Sequence, residues 1–294
     1  MTAIIPGVTR SLANFAELVK FSHTIFLFPF ALAAVALAHQ VRPITWPVLL
    51  WIVVALVAAR SAAMISNRII DRRFDAANPR TADRPLVTGR VSPALAWSWL
   101  AIACAVFLLA AGMLGPLCLW LSPVALAWVV GYSFAKRFTA LSHIWLGLAT
   151  ALAPLGAWIA VTGTITAGAL VLAASAALWV AGFDIIYACQ DVEFDRGHGL
   201  HSIPARLGIS GALWLSAALH AAALAGFLAL APLVGLGGVY LAGVGLLGLI
   251  LAAEQVVVRI RLANVPMAFF TLNGVFSILY LAAVLAGLWQ ANHV

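Results

Sequence analysis

The chain is 294 residues long, 65% hydrophobic and only 9% charged, with a mean hydropathy of +1.09. Apolar runs of roughly twenty residues, the length a helix needs to cross a bilayer, recur from end to end, which excludes a water-soluble globule and predicts a polytopic helical membrane protein. The net charge of +7 does not point to nucleic acid, because the basic residues fall between apolar runs, where membrane topology accounts for them.

The first twenty residues, MTAIIPGVTRSLANFAELVK, show no signal-peptide cleavage pattern, so the first apolar run is expected to be a true span. Apolar runs set against turn and charge signals predict nine spans, over 20–39, 45–66, 94–113, 116–134, 142–161, 167–189, 211–230, 234–257 and 266–289. Breaks at 112–115, 162–166 and 231–237 contain no charge and predict tight antiparallel neighbours. Cys104, Cys118 and Cys189 sit inside apolar runs at no spacing that suits a disulfide or zinc, and read as small buried hydrophobes.

Arg10 and Lys20 precede the first span, six arginines including Arg68 follow the second, and Lys136 and Arg137 follow the fourth. Arg196 and Arg206 follow the sixth, and Arg259 and Arg261 the eighth; only Arg42 and Arg60 depart from the pattern. The positive-inside rule makes the shared side cytoplasmic and, with nine spans, puts the C-terminus on the other. The expected architecture is all-α: one transmembrane domain over 1–294, two similar four-helix halves plus a ninth helix, with the loops 67–93 and 190–210 carrying the site.

Seven of the nine acids fall in two places, Asp71, Asp75 and Asp83 after span two, and Asp184, Asp191, Glu193 and Asp195 after span six. On a helix of 3.6 residues per turn, steps of four drift only about 40°, so Asn67, Asp71 and Asp75 share one face. Tyr187, Asp191 and Asp195 share another, with Asp184 deeper in the span. Carboxylates at the mouth of a membrane helix are costly unless satisfied and mark a functional cavity. Oxygen ligands without His or Cys favour Mg²⁺ or Mn²⁺, which leave coordination positions open to phosphate oxygens. Arg68, Arg72, Arg73, Arg80, Arg84, Lys136 and Arg137 suit a diphosphate better than a neutral ligand. Solvated topology signals would explain any one of these arginines, but aspartate does not help topology.

The runs NRIIDRRFD (67–75) with NPRTADRPLVTGR (78–90), and DIIYACQDVEFD (184–195) with RGHGLHSIPARLG (196–208), resemble the UbiA superfamily of intramembrane aromatic prenyltransferases. YSFAKRFT (132–139) and the nine-helix plan extend the resemblance over essentially the whole chain. It implies transfer of a polyprenyl group from its diphosphate to an aromatic acid in ubiquinone or menaquinone biosynthesis, at the cytoplasmic side of a membrane such as the bacterial inner membrane. It further implies that Asn67, Asp71, Asp75, Asp191 and Asp195 hold Mg²⁺. Arg72, Arg84 and Lys136 would then contact phosphate, and Arg137 an acceptor carboxylate. No nucleic acid and no obligate protein partner are expected.

An allylic cation needs aromatic faces and exclusion of water; Tyr187, Trp145 and Trp158 are candidate walls, with plain packing the simpler reading of each tryptophan. His23 is a candidate contact for the acceptor, against a plain helix-end polar role. His198 and His201 read as solvated, with a phosphate contact as the alternative. The stretch LVKFSHTIFLFPF lacks a proline after Lys20, which leans the acceptor toward a hydroxy-naphthoate rather than 4-hydroxybenzoate. A transporter of a cation or phosphate-bearing solute is the alternative class, but it would gather charge nearer the bilayer midplane. Phosphoalcohol transferases carry a compact Asp-Gly run that is absent here.

Overall fold

The structure, a computed structural model, describes residues 14–19 and 26–293, and among these it is all-α with no strand. In chain order the helices are α1 (Phe28–Val41), α2 (Trp46–Ile70), the short α3 (Arg72–Ala77), α4 (Pro93–Leu114), α5 (Pro116–Gly131) and α6 (Ser142–Thr162). They continue with α7 (Ala167–Ala188), the short α8 (Val192–Gly197), α9 (Ile203–Val234), α10 (Gly238–Ile260) and α11 (Asn273–His293). Among the described residues eight helical stretches are long and apolar enough to cross a membrane, so the protein is an integral membrane protein. The first expected span, 20–39, begins outside the described residues; its described part is the 14-residue α1. His23 also lies outside them.

The sequence sets these ends by local chemistry. Prolines open α2, α4 and α5, where a missing N–H costs nothing. The side chains of Ser92, Thr166 and Ser202 accept hydrogen bonds from the first turns of α4, α7 and α9. Gly163, at φ 72°, ends α6 in the left-handed region.

Helix α7 packs between α6 and α9, α2 lies along α4, and α1 packs on both α6 and α11. The first half is α1 to α5 and the second α6 to α10. The helices α2 and α7 hold the same place in the chain order of the two halves, each delivering a short acidic helix, α3 or α8, at its end. Small residues let the backbones meet: a Cβ on Gly147 of α6 would sit 2.3 Å from the Ala177 carbonyl oxygen of α7. Outward, α5 exposes Trp120 and Leu119, as a lipid-facing helix should. Inside, Phe30 stacks on Tyr280 (centroids 4.5 Å apart) and Trp179 on Phe276 (4.8 Å). A buried polar chain ties three helices beside this core: Trp179 Nε1 donates to Asn273 Oδ1 (3.1 Å), and Asn273 Nδ2 donates to Glu254 Oε1 (2.7 Å).

Two expected helices differ in detail. The second span was expected to end near 66, with Asn67, Asp71 and Asp75 on one continuous helix; instead α2 runs to Ile70 and breaks at Asp71 (φ −90°, ψ 4°). The i to i+4 bonds survive the break, Asp71 N to Asn67 O at 2.9 Å and Asp75 N to Asp71 O at 2.8 Å, so the shared face is kept. The seventh span, expected over 211–230, begins at Ile203 as a first turn set off by Gly208 (φ 71°, ψ 169°), a conformation that favours glycine.

Candidate active site

Both acidic motifs open into one cavity of about 210 Å³. Helix α3 turns Asp75 inward, 7% exposed, and the 3₁₀ turn Cys189–Asp191 followed by α8 turns Asp191 and Asp195 inward. Around α3, a step of one residue rotates about 100°, which puts Arg72 and Arg73 on the outer face, exposed and off the cavity wall. The expected phosphate contact of Arg72 is therefore not where the structure places it. Arg68, one turn before Asp71, points inward instead, is 6% exposed, and donates from Nη1 to Asn67 Oδ1 (2.9 Å).

Each of the four motif carboxylates is paired with a cation. Arg80 forks onto Asp191, with Nε to Oδ1 at 3.0 Å and Nη2 to Oδ2 at 2.5 Å, and its Nη1 donates to the Tyr187 hydroxyl at 2.8 Å. Its guanidinium also lies 5.1 Å from the Tyr187 ring centroid. Burial lowers the Arg80 pKa, but the bonds to Asp191 and the nearby Tyr187 outweigh it and the net shift is upward. Arg84 Nη1 meets Asp75 Oδ1 at 2.5 Å, Lys136 Nζ lies 3.4 Å from Asp195 Oδ2, and Arg137 Nη2 lies 3.5 Å from Asp71 Oδ1. Arg137 Nη2 also donates to the Ile70 carbonyl at 2.6 Å. Asp71 accepts from Asn67 Nδ2 at 2.7 Å. Burial, reinforced by Asp75, pushes the Asp71 carboxyl up to about 6, against the pull of Arg137.

Among the described residues no three acidic, histidine or cysteine side chains converge on one point. The donors are still of the right kind for Mg²⁺, which is held by one or two carboxylates and completes its shell with water and phosphate. Asn67, Asp71 and Asp75 form one all-oxygen set, and Asp191 with Asp195 another.

Several residues of the site were not foreseen. Asn78, in the turn after α3, donates to Asp191 Oδ1 at 3.3 Å and accepts from the Arg80 backbone N–H at 3.0 Å, stapling the first motif to the second. His143 Nδ1 lies 2.6 Å from Asp184 Oδ2 on the cavity wall, and Tyr132 lines the same wall. A lone histidine at the start of an apolar run was the only signal for the first of these. Asp83 and Glu193 stay off the wall; the Asp83 carbonyl accepts from Arg90, which also forks onto Glu17. Trp158 is buried in the main core, and Trp145 bonds the Trp128 carbonyl, so both pack rather than line the cavity. His198 is exposed and stacks on Phe194, and His201 is exposed too.

A second, far smaller apolar pocket, of about 10 Å³, lies further into the helix bundle. It is lined by Phe26, Leu27, Phe30, Thr150, Trp179 and Val180 among others. Thr150 and Val180 lie one turn deeper than Leu146 on α6 and Asp184 on α7, which line the cavity itself.

Residues 27–279 match the profile of the UbiA prenyltransferase family. The chain is 35% identical over 181 residues to a 4-hydroxybenzoate solanesyltransferase of Synechocystis, an alignment spanning 60% of either protein. It is 31% identical to a 4-hydroxybenzoate octaprenyltransferase of Vibrio parahaemolyticus over 87% of this chain and 89% of that one. Among solved structures, a UbiA homologue from Aeropyrum pernix superposes with a TM-score of 0.77 at 36% identity, covering 91% of this chain and 97% of the homologue. The fold is shared as well with a UbiA homologue from Archaeoglobus fulgidus solved with DMAPP and Mg²⁺ (TM-score 0.72, 20% identity, 94% of this chain and 99% of that one).

Proposed function

The chain belongs to the UbiA prenyltransferase family, and from that membership we propose that it transfers a polyprenyl group from a polyprenyl diphosphate to an aromatic hydroxy acid, in a Mg²⁺-dependent reaction of quinone biosynthesis. The observation that carries this reading is the meeting of both acidic motifs on one cavity, joined by Arg80 through Asp191 and Tyr187. A transporter has no need of two oxygen-only sets, each already matched by arginine or lysine, at equivalent helix ends.

Asn67, Asp71 and Asp75 would hold one Mg²⁺ ion, and Asp191 with Asp195 a second. Bound there, the metal would neutralise charge on the diphosphate and make it a better leaving group. The rest belongs to the chain's own side chains. Arg80, Arg84, Lys136 and Arg137, each now on a carboxylate, supply donors that turn to phosphate oxygens when the carboxylates engage metal. Arg68 adds a buried positive charge on the same wall, and the Tyr187 ring offers a π-face to the allylic cation. The apolar pocket between α1, α6 and α7 has room for about one water, so the isoprenoid would part these helices to enter there.

The names of the relatives weigh toward 4-hydroxybenzoate and against the naphthoate suggested by the missing proline after Lys20. Arg137, whose Nη2 lies 3.5 Å from Asp71 Oδ1, is the candidate for the acceptor carboxylate. The charge pattern supports a site and N-terminus on the cytoplasmic side, as in a bacterial inner membrane, with the C-terminus opposite. The test is purified protein with Mg²⁺, a labelled polyprenyl diphosphate and a panel of 4-hydroxybenzoate and dihydroxynaphthoates. Transfer to 4-hydroxybenzoate is expected; transfer to none, from folded protein, overturns the proposal.

A further inference from the structure

The cavity contains one carboxylate that diphosphate binding does not use. Asp184 lies on α7 seven residues before Asp191, about 10 Å along the axis at the 1.5 Å rise of a helix. Two carboxylates sharing an ion at about 2.1 Å each do not span that depth. Its partner also differs: Asp71, Asp75, Asp191 and Asp195 each face an arginine or lysine, whereas Asp184 faces His143, Nδ1 to Oδ2 at 2.6 Å.

The order of this pair is informative. The His143 side chain is 1% exposed and that of Asp184 21% exposed, so the imidazole stands behind and the carboxylate opens into the cavity. His143 Nε2 is buried and has no hydrogen-bond partner, which assigns the ring proton to Nδ1, where it is donated to Asp184. A histidine N–H donating to a carboxylate fixes the orientation of that carboxylate. Helices α6 and α7 hold the pair rigidly, since they meet at Gly147 and Ala177 one and two turns further in.

We propose that Asp184, positioned by His143, accepts the proton of the acceptor's ring hydroxyl during carbon–carbon bond formation. This rests on the prenyl-transfer reading above. The bond from the allylic carbon to the diphosphate oxygen breaks, its electron pair leaving with the diphosphate, and the ring carbon ortho to the hydroxyl bonds the resulting allylic cation. The hydroxyl proton passes to Asp184, which leaves a neutral dienone. The dienone then loses its ring C–H proton to the departing diphosphate, and its oxygen takes back the proton from Asp184. Atoms and charge balance without any oxidant or reductant. Asp184 is the catalytic residue of this step and His143 a positioning residue.

The test uses the full-length protein in lipid nanodiscs with a labelled polyprenyl diphosphate and 4-hydroxybenzoate. Asp184→Asn should lower kcat for transfer by ~100-fold or more, the usual scale for a proton-transfer group, while Mg²⁺-dependent binding of inorganic diphosphate stays within about twofold. His143→Leu should lower kcat, and His143→Gln, whose side-chain amide can still donate to Asp184, should recover most of the loss. Across 3-halogenated 4-hydroxybenzoates, the ratio of His143→Leu to wild-type rates should rise toward one as the hydroxyl becomes more acidic and needs less help to ionise. This series also serves if Asp184→Asn does not fold. Wild-type transfer by Asp184→Asn, an equal loss of diphosphate binding, or a flat ratio across the series would overturn the assignment. Wild-type protein that transfers to no acceptor would instead overturn the prenyl-transfer reading.

Discussion

Replacing Arg80 with methionine removes the side chain that bonds Asp191 and Tyr187 of the second motif from the turn after the first. Arg80 gives two charge-assisted hydrogen bonds to Asp191 and one to Tyr187. Such bonds contribute about 1.5–3 kcal/mol each when shielded. The Arg80 side chain is 36% exposed and that of Asp191 11%, so solvent screening brings the Asp191 pair down to about 1–2 kcal/mol. If Arg80 exchanges Asp191 for phosphate when substrate binds, Arg80→Met moves two affinities in opposite directions. Mg²⁺ alone should bind about 5–30-fold more tightly, because Asp191 is released from its competitor. Inorganic diphosphate in saturating Mg²⁺ should bind about 10–100-fold more weakly, because a phosphate donor is lost. Titration calorimetry on the detergent-solubilised protein reads both. If the two affinities fall together, Arg80 is a structural clamp between the motifs and the exchange is wrong.

Asp71→Asn and Asp191→Asn should each abolish turnover while membrane insertion, followed by fractionation and protease protection, stays normal; full activity in either would remove it from the metal set. Because burial and Asp75 raise the Asp71 carboxyl to about 6, protons compete with Mg²⁺ there: metal affinity is full above that pH and declines as pH falls through it. Raising Mg²⁺ should therefore shift the acid limb of the rate profile to lower pH, and an acid limb indifferent to Mg²⁺ would count against this. A Cβ on Gly147 would sit 2.3 Å from a backbone oxygen, which cannot swing away as a side chain can. Gly147→Ala should accordingly part α6 from α7, destabilise by about 1–3 kcal/mol and lower Tm by several degrees; an unchanged melting curve would show that the helices part at no cost.

The spans and the two motifs were legible because both follow from local rules. Twenty apolar residues leave a membrane helix few alternatives, and a spacing of four keeps Asn67, Asp71 and Asp75 on one face even across the break at Asp71. Arg72 and Arg68 show where that reading stops. Both are arginines beside the first acidic motif, yet rotation about α2 and α3 buries Arg68 on the cavity wall and turns Arg72 outward. The contacts between distant parts of the chain left no local trace. Asn78 meets Asp191 across 113 positions and His143 meets Asp184 across 41, so neither pairing could be read before the helices were packed. Glu254 was one of two acids outside the motifs; its partner Asn273 sits in a mostly apolar run, and only the packing of α10 on α11 brings them together.

The most direct test of the central claim, that the two motifs form one diphosphate site for prenyl transfer, follows the labelled isoprenoid in nanodiscs with Mg²⁺ and 4-hydroxybenzoate. The account predicts a product prenylated ortho to the hydroxyl, diphosphate released in equal amount, and loss of both when EDTA removes the metal. Folded protein that releases no diphosphate and forms no prenylated acid, but passes ions or phosphate across a sealed vesicle, would contradict it.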